Sequence, residues 1–238
     1  MPVNAFGQEI GVPMEGWNSR QPPPLRAVAG RFCRIEPLAA ARHSAELFEA
    51  YSAAPDTRDW TYLPVDRPRD AESFRGLVAA QALSRDPLHF AIVEGTLGTA
   101  VGTAALMRID PANGVIEVGH INFSPGLKRT PAATEAIFLL MSRVFDELGY
   151  RRLEWKCDSL NAPSRRAAER YGFSYEGMFR QAVVTKGRNR DTAWYALIDR
   201  DWPPVRAAFQ AWLAPSNFES DGRQRRPLAA CRVADPGG

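Results

Sequence analysis

Apolar residues recur along the middle of the chain in two alternating rhythms. Leu47, Phe48 and Tyr51 share a face at helical spacing within Ala39 to Ala53, and Phe74, Leu77, Val78 and Ala82 form a second stripe within Ala71 to Leu83. Shorter runs follow at His89 to Val93, Ala100 to Ile109 and Val115 to Phe123, each reading as a strand. Between the last two lies Asp110-Pro111-Ala112-Asn113-Gly114, whose Asn-Gly pair tolerates positive φ and predicts a hairpin turn. A long helix is predicted from Pro131 to Leu148, opened by a first-turn proline and closed by Gly149. After it come a strand from Arg151 to Cys157 and a helix from Pro163 to Arg170 stopped by Gly172. Phe179 to Thr185 and Thr192 to Ile198 then read as a closing hairpin, and Asp201 to Leu213 as a final helix. With Arg31 to Ile35 as a first strand, the order predicts one mixed α/β domain over residues 27–214.

The flanks differ from this core. Residues 1–26 are rich in Pro and Gly, include Pro22-Pro23-Pro24, and read as an arm without its own core. Phe6 and Trp17 are its candidates for pinning to a neighbouring surface or a second subunit, which makes a homodimer an expected partner. Residues 215–238, with Ser, Asp, Gly and the cluster Arg223, Arg225 and Arg226, are expected to fray. A 45% hydrophobic, 24% charged chain of 238 residues excludes wholesale disorder, and a net charge of +3 spread over that length does not argue for nucleic acid. No apolar run approaches the roughly 20 residues needed to cross a bilayer, and the first residues lack a secretory pattern. Cys33, Cys157 and Cys231 are odd in number and far apart, suiting neither disulfides nor a metal site, so a cytoplasmic location is expected.

Chemistry concentrates in Val115 to Ala136. A strand ends at Phe123, a loop with Pro125 and Gly126 follows, and a helix begins near Thr130. Such a helix start offers unpaired N–H groups and the positive end of a dipole, which suits a phosphate. Lys128 and Arg129 add charge, Thr130 and Thr134 add hydroxyl donors, and Ala132 and Ala133 allow close approach to the backbone. On these residues alone, an ordinary turn with solvated cations is an equal reading.

The next segment, Leu153-Glu154-Trp155-Lys156-Cys157-Asp158-Ser159-Leu160-Asn161-Ala162-Pro163-Ser164, leads to Gly172-Phe173. Together with Thr134-Glu135-Ala136 and the run from Lys186 to Trp194, it resembles the GNAT superfamily of acetyl-CoA-dependent N-acyltransferases, in particular the RimL and RimJ branch, across roughly residues 30–200. The resemblance implies a twisted, mostly antiparallel sheet with a splayed strand pair and flanking helices. It also implies acetyl-CoA as cofactor, a primary amine of a protein N-terminus or small molecule as acceptor, and direct attack in a ternary complex. It assigns to the cofactor Ile121, Asn122 and Phe123, the loop residues Lys128, Arg129, Thr130, Ala132, Ala133 and Thr134, and Asn161 and Ser164. Pro131 and Ala133 stand where the family usually has glycines, and Ala168 stands where many members carry a general-acid tyrosine. Tyr171, one turn on, is expected to pack. Loss of that acid leaves an acyl-CoA sensor with little turnover as the alternative function.

A lysine-like amine is neutral in only about one molecule in a thousand at pH 7, so its attack needs a base. Glu117 is the candidate, with Asp158 as another; strict alternation puts His120 on the opposite face from Glu117. Trp60, Tyr62, Arg108 and Arg180, with Arg188 and Asp191, are the expected acceptor wall. A covalent route through Cys157 is the less favoured mechanism, since the residue reads as a small buried strand position. Trp155 and Trp194 read as core, and Lys186 as part of a solvated hairpin tip.

Overall fold

The computed structural model describes residues 1–232. Eight strands form one sheet: β1 (Val28–Ala29), β2 (Cys33–Pro37), β3 (Leu88–Glu94), β4 (Ala100–Asp110), β5 (Val115–Phe123), β6 (Arg152–Asp158), β7 (Ser174–Thr185) and β8 (Arg188–Ile198). Their order is β1-β2-β3-β4-β5-β6-β8-β7, and every pairing is antiparallel except β5 with β6. Helices α1 (Ala40–Ser52) and α2 (Ala71–Leu83) cover one face of the first half. The other face packs against α3 (Pro131–Ser142), α4 (Ala162–Tyr171) and α5 (Trp202–Leu213), with the short α6 (Leu228–Cys231) beside α5.

Local chemistry sets the helix ends. The Thr130 hydroxyl accepts from the N–H of Ala133, so α3 starts on a capped turn with Pro131 at its first position. Asn161 caps α4 through Ser164, and Gly172 ends it at φ +99°. The predicted helix to Leu148 keeps its α form only to Ser142 and then widens into a π-type turn over Arg143–Glu147. Glu135, buried on α3, accepts the N–H groups of Arg31, Phe32 and Cys33 at 2.6–2.8 Å and ties that helix to the start of β2.

Both flanks are more ordered than the sequence suggests. Trp17 lies over Gly114, whose φ of +61° belongs to the β4–β5 turn, and its indole N–H donates to Ala112. Arg20 stacks on the same ring, and Arg26 pairs with Glu147, so the arm is fastened to its own domain; Phe6 is left exposed. The expected fraying from residue 215 is corrected over the described part. Phe218 packs edge-on against Phe32 and Trp212, Leu228 and Cys231 are buried, and the Arg232 guanidinium donates to the carbonyls of Glu169 and Arg170. A polar composition concealed these anchors because each is a single apolar residue. Residues 233–238 of that predicted tail lie outside the described residues. Among the described residues, no helix is long and apolar enough to cross a membrane.

Candidate active site

β5 stays paired with β4 to its end, but it meets β6 only at Val115, Ile116 and Glu117, opposite Arg152, Leu153 and Glu154. Past that point β6 is paired on its other side with β8, and the two strands part. A bulge accompanies the parting: Asn122 pairs with Thr103 and Gly119 with Ala105, leaving His120 and Ile121 opposite Ala104, with His120 at φ +48°. An extra residue bends the strand and frees main-chain groups from the ladder. The gap opens into a cleft of about 600 Å³.

The bulge corrects the parity argument. Glu117 and His120 both line the cleft, because the added residue resets the alternation between them. His120 is held below its ordinary pKa by burial and by the charge of Arg190, so it is a neutral imidazole near pH 7. It meets His89 edge to face at 5.1 Å, and burial lowers His89 to about 4.

Glu117 is buried at 5% exposure. Its Oε2 lies 3.0 Å from Lys156 Nζ and 3.0 Å from Arg108 Nε. Neither cation is aimed well enough to make that contact a well-aligned hydrogen bond, so the oxygen is paired by charge alone. Burial raises the Glu117 pKa, and the two cations only partly oppose it. Lys156 also lies 2.6 Å from Glu154 Oε2 and 3.8 Å from the centre of the Trp194 ring. Arg152 continues the chain of alternating charge, reaching Glu154 at 2.8 Å and forking onto Glu176. Sequence reasoning missed Lys156; its signal was its position two residues after Glu154 on a strand beside β5, visible only once the register is known.

Of the residues expected at the cofactor, Ile121, Asn161 and Ser164 line the cleft. Ser164 Oγ accepts from the Trp155 indole N–H at 2.9 Å. Asn122 does not: it lies beside a small cavity under α1 and α2, and its carbonyl accepts from Tyr51. Phe123 packs along the larger core, and its main chain leads into the loop. That loop is exposed at Gly126, Lys128 and Arg129, and among the described residues the N–H groups of Gly126, Arg129 and Ala132 have no acceptor. Ala132 and Ala133, both buried, present no bulk there. Of the two hydroxyls expected as donors, Thr130 is committed to the Leu127 carbonyl, and Thr134 is buried and accepts from Arg170. Lys128 is ion-paired with Asp59 at 2.5 Å, leaving Arg129 as the loop's cation without an ion pair among the described residues.

The acceptor wall is rearranged. Tyr62 and Arg108 line the cleft, with the Tyr62 hydroxyl donating to Leu160 across its mouth. Trp60 is buried against Tyr51 in the core under α1 and α2, because its ring completes that cluster. Arg180 is exposed on the edge strand β7 and does not line the cleft, since a bulge between Phe179 and Val183 turns that segment. Asp191 is likewise spent locally, accepting from Gln181 and Asn189. Trp194, expected in the core, is a wall residue stacked on Phe179 at 4.4 Å, and Lys186 is held by Asp66 and the Trp60 carbonyl. Cys157 is buried with its thiol pKa raised, which removes the thiolate a covalent route needs. Tyr171 is buried against Trp155 and Phe209, and burial raises its pKa, so it packs.

Residues 34–174 match the family model described as the acetyltransferase (GNAT) domain. A GCN5-related N-acetyltransferase from Brucella melitensis is similar in structure, with a TM-score of 0.90 and 49% identity over 92% of this chain and 99% of that one. A probable acetyltransferase from Chromobacterium violaceum gives 0.76 and 40% over 85% and 99%. Among curated proteins, the putative ribosomal N-acetyltransferase YdaF of Bacillus subtilis is 29% identical over 105 residues, which span 44% of this chain and 57% of YdaF.

Proposed function

The chain belongs to the GNAT acetyltransferase family and is an acyltransferase, and on that premise we propose that it moves an acetyl group from acetyl-CoA to a primary amine by direct attack within a ternary complex. The observation that carries this reading is the gap between β5 and β6, which ends on one side in the open amide loop before α3 and on the other at buried Glu117. Acetyl-CoA fits as the donor: the loop's free N–H groups and Arg129 suit a pyrophosphate, and the free strand edges suit an extended amide-bearing arm. The cofactor supplies an acetyl group activated as a thioester.

The chain's own residues do the rest. The main chain freed at the His120–Ile121 bulge polarises the acetyl carbonyl, a contact worth about 10²- to 10³-fold in rate. Glu117 takes the proton from the incoming amine; its raised pKa brings it closer to the amine it must deprotonate and makes it a stronger base than an exposed carboxylate. Lys156 and Arg108 keep Glu117 ionised despite its burial and steady it beside the gap. Ser164, whose oxygen already accepts from Trp155, keeps its hydroxyl hydrogen free to hydrogen-bond the departing thiolate, which takes its proton from solvent; Ala168 offers no such donor. A protein N-terminus is one acceptor of this kind, and the relative YdaF is named a putative ribosomal N-acetyltransferase.

The test is release of free CoA thiol when the protein is mixed with acetyl-CoA and a panel of amines. Amine-dependent release is expected. Stabilisation by CoA with no release from any amine would favour a sensor instead.

A further inference from the structure

The far wall of the cleft contains polar atoms that transfer chemistry does not use. Arg190, Thr192 and Trp194 alternate along β8, so they project from one face of the sheet, the same face as Lys156, which stands level with Trp194. All three line the cleft, and Arg190 Nε, Thr192 Oγ1 and Trp194 Nε1 are buried with no hydrogen-bond partner among the described residues. Thr192 is only 5% exposed. Buried polar groups are normally satisfied, and leaving one without a partner is costly, so three together on one wall point to a missing acceptor.

Charge sharpens the identity of that acceptor. The lining cations Arg108 and Lys156 are matched by Glu117 and Glu154, and Lys186 by Asp66. Arg190 has no carboxylate partner among the described residues, although it lies close enough to His120 and Cys157 for its charge to bear on both. Asp158, the remaining acidic lining residue, is turned onto the N–H of Leu160. Trp and Arg only donate, so the group they await is an acceptor, and an unmatched guanidinium favours an anionic one.

We propose that Arg190, Thr192 and Trp194 form an oxyanion subsite, so that the acceptor is an amine that also carries a carboxylate or phosphate group. This inference rests on the acetyl-transfer reading only for the amine; the anion site stands on its own geometry. Glu117 is level with Glu154, and Trp194 with Lys156 two residues further along, so base and Trp194 are about 12 Å apart at the backbone, but their side chains converge on Lys156 Nζ, which lies 3.0 Å from the Glu117 carboxylate and 3.8 Å from the centre of the Trp194 ring. The acceptor therefore holds its amine and its oxyanion at opposite ends of a short spacer.

The test uses the full chain saturated with CoA, so that the phosphate loop is already filled. The Trp194 indole N–H resonance, assigned with Trp194→Phe, is followed on adding butyrate, inorganic phosphate or butanol. A saturable shift with an anion and none with butanol is expected. Arg190→Gln should weaken that binding at least tenfold, and Arg190→Lys less. In turnover, 4-aminobutyrate is compared with butylamine, and O-phosphoethanolamine with ethanolamine, to separate the two oxyanions. At least one anionic member should exceed its neutral partner tenfold in kcat/KM, and Arg190→Gln should bring that ratio to within about twofold. An unshifted Trp194 resonance, or a ratio untouched by Arg190→Gln, overturns the proposal. Anion binding at Trp194 with no acetylation of any amine leaves the subsite standing and sinks acetyl transfer.

Discussion

The two sides of the cleft are built from different materials. On the proposed donor side, at the end of β5 and the start of α3, the open groups are main-chain amides and the Arg129 guanidinium, and the other side chains are small, capped or ion-paired away. On the acceptor side the useful groups are side chains: Glu117 between two cations, and the row of Arg190, Thr192 and Trp194. A site made of backbone tolerates changes of side chain, which is why Pro131 and Ala133 can stand where the family usually has glycines. A site made of side chains changes its chemistry with each substitution. On the proposed function, donor recognition would rest on backbone common to the family, and acceptor choice on side chains particular to this chain.

The contrast can be broken most sharply at Glu117. Glu117→Gln keeps its size and leaves Lys156 paired with Glu154, so folding survives; turnover should fall by about 10²-fold or more. CoA affinity, measured by calorimetry, should stay within about twofold. Equal loss of both would move Glu117 to a structural role.

On the donor side the expected losses are in binding. Arg129→Ala should weaken CoA by about 1.5–3 kcal/mol if its charge meets a phosphate. Ala132→Pro removes one N–H at a helix position that accepts proline and should cost about 1.5 kcal/mol, with little effect on kcat. Ala132→Ser, which keeps the amide, should bind CoA nearly as the parent does. If the serine variant is as weak as the proline one, the donor side depends on side chains after all.

A third test concerns pH. Base catalysis requires ionised Glu117, whose pKa burial raises, so kcat should fall on the acid side at a pH above the ordinary carboxylate range. Lys156 opposes that rise, and Lys156→Met should move the acid limb to still higher pH. A limb that stays in place would dissociate Lys156 from the base.

Stability has its own acid limb. His89 titrates near 4 in the folded chain against 6.5 when free, so the unfolded chain takes up a proton that the fold refuses. This contribution is complete above about pH 6.5 and is lost as pH falls through about 4. Tm should drop across that window, and His89→Gln should flatten the drop. The smallest effect is expected outside the cleft. Trp17→Ala, which removes the arm's pin on the Asn113-Gly114 turn, should cost about 1 kcal/mol and expose the arm to protease while leaving transfer intact.

Most strands and helices are legible in the chain because one buried face repeats at a fixed period, and the Asn113-Gly114 hairpin and the Pro131 helix start are as expected. Glu117 and the loop before α3 stand out for the same local reasons. What escaped notice needed long-range register. The two-residue β1 is too short to carry a period. Trp60, expected on the acceptor wall, completes the core under α1 and α2, and Trp194, expected in the core, lines the cleft, because only packing across elements decides which aromatic is covered. A threonine that caps a helix and one that donates to a ligand look the same in sequence, and Thr130 is the cap.

Hydropathy rhythm and turn residues, which act between neighbours along the chain, determine the mixed α/β order and the position of a helix start that follows a strand and a short loop. Tertiary structure alone decided which charges meet, because Lys156 reaches Glu117, and Arg190 is left unmatched, only through strand register and a single inserted residue in β5. Coulomb energy depends on distance in space, and a one-residue bulge alters that distance without altering the hydrophobic pattern from which the strands were read.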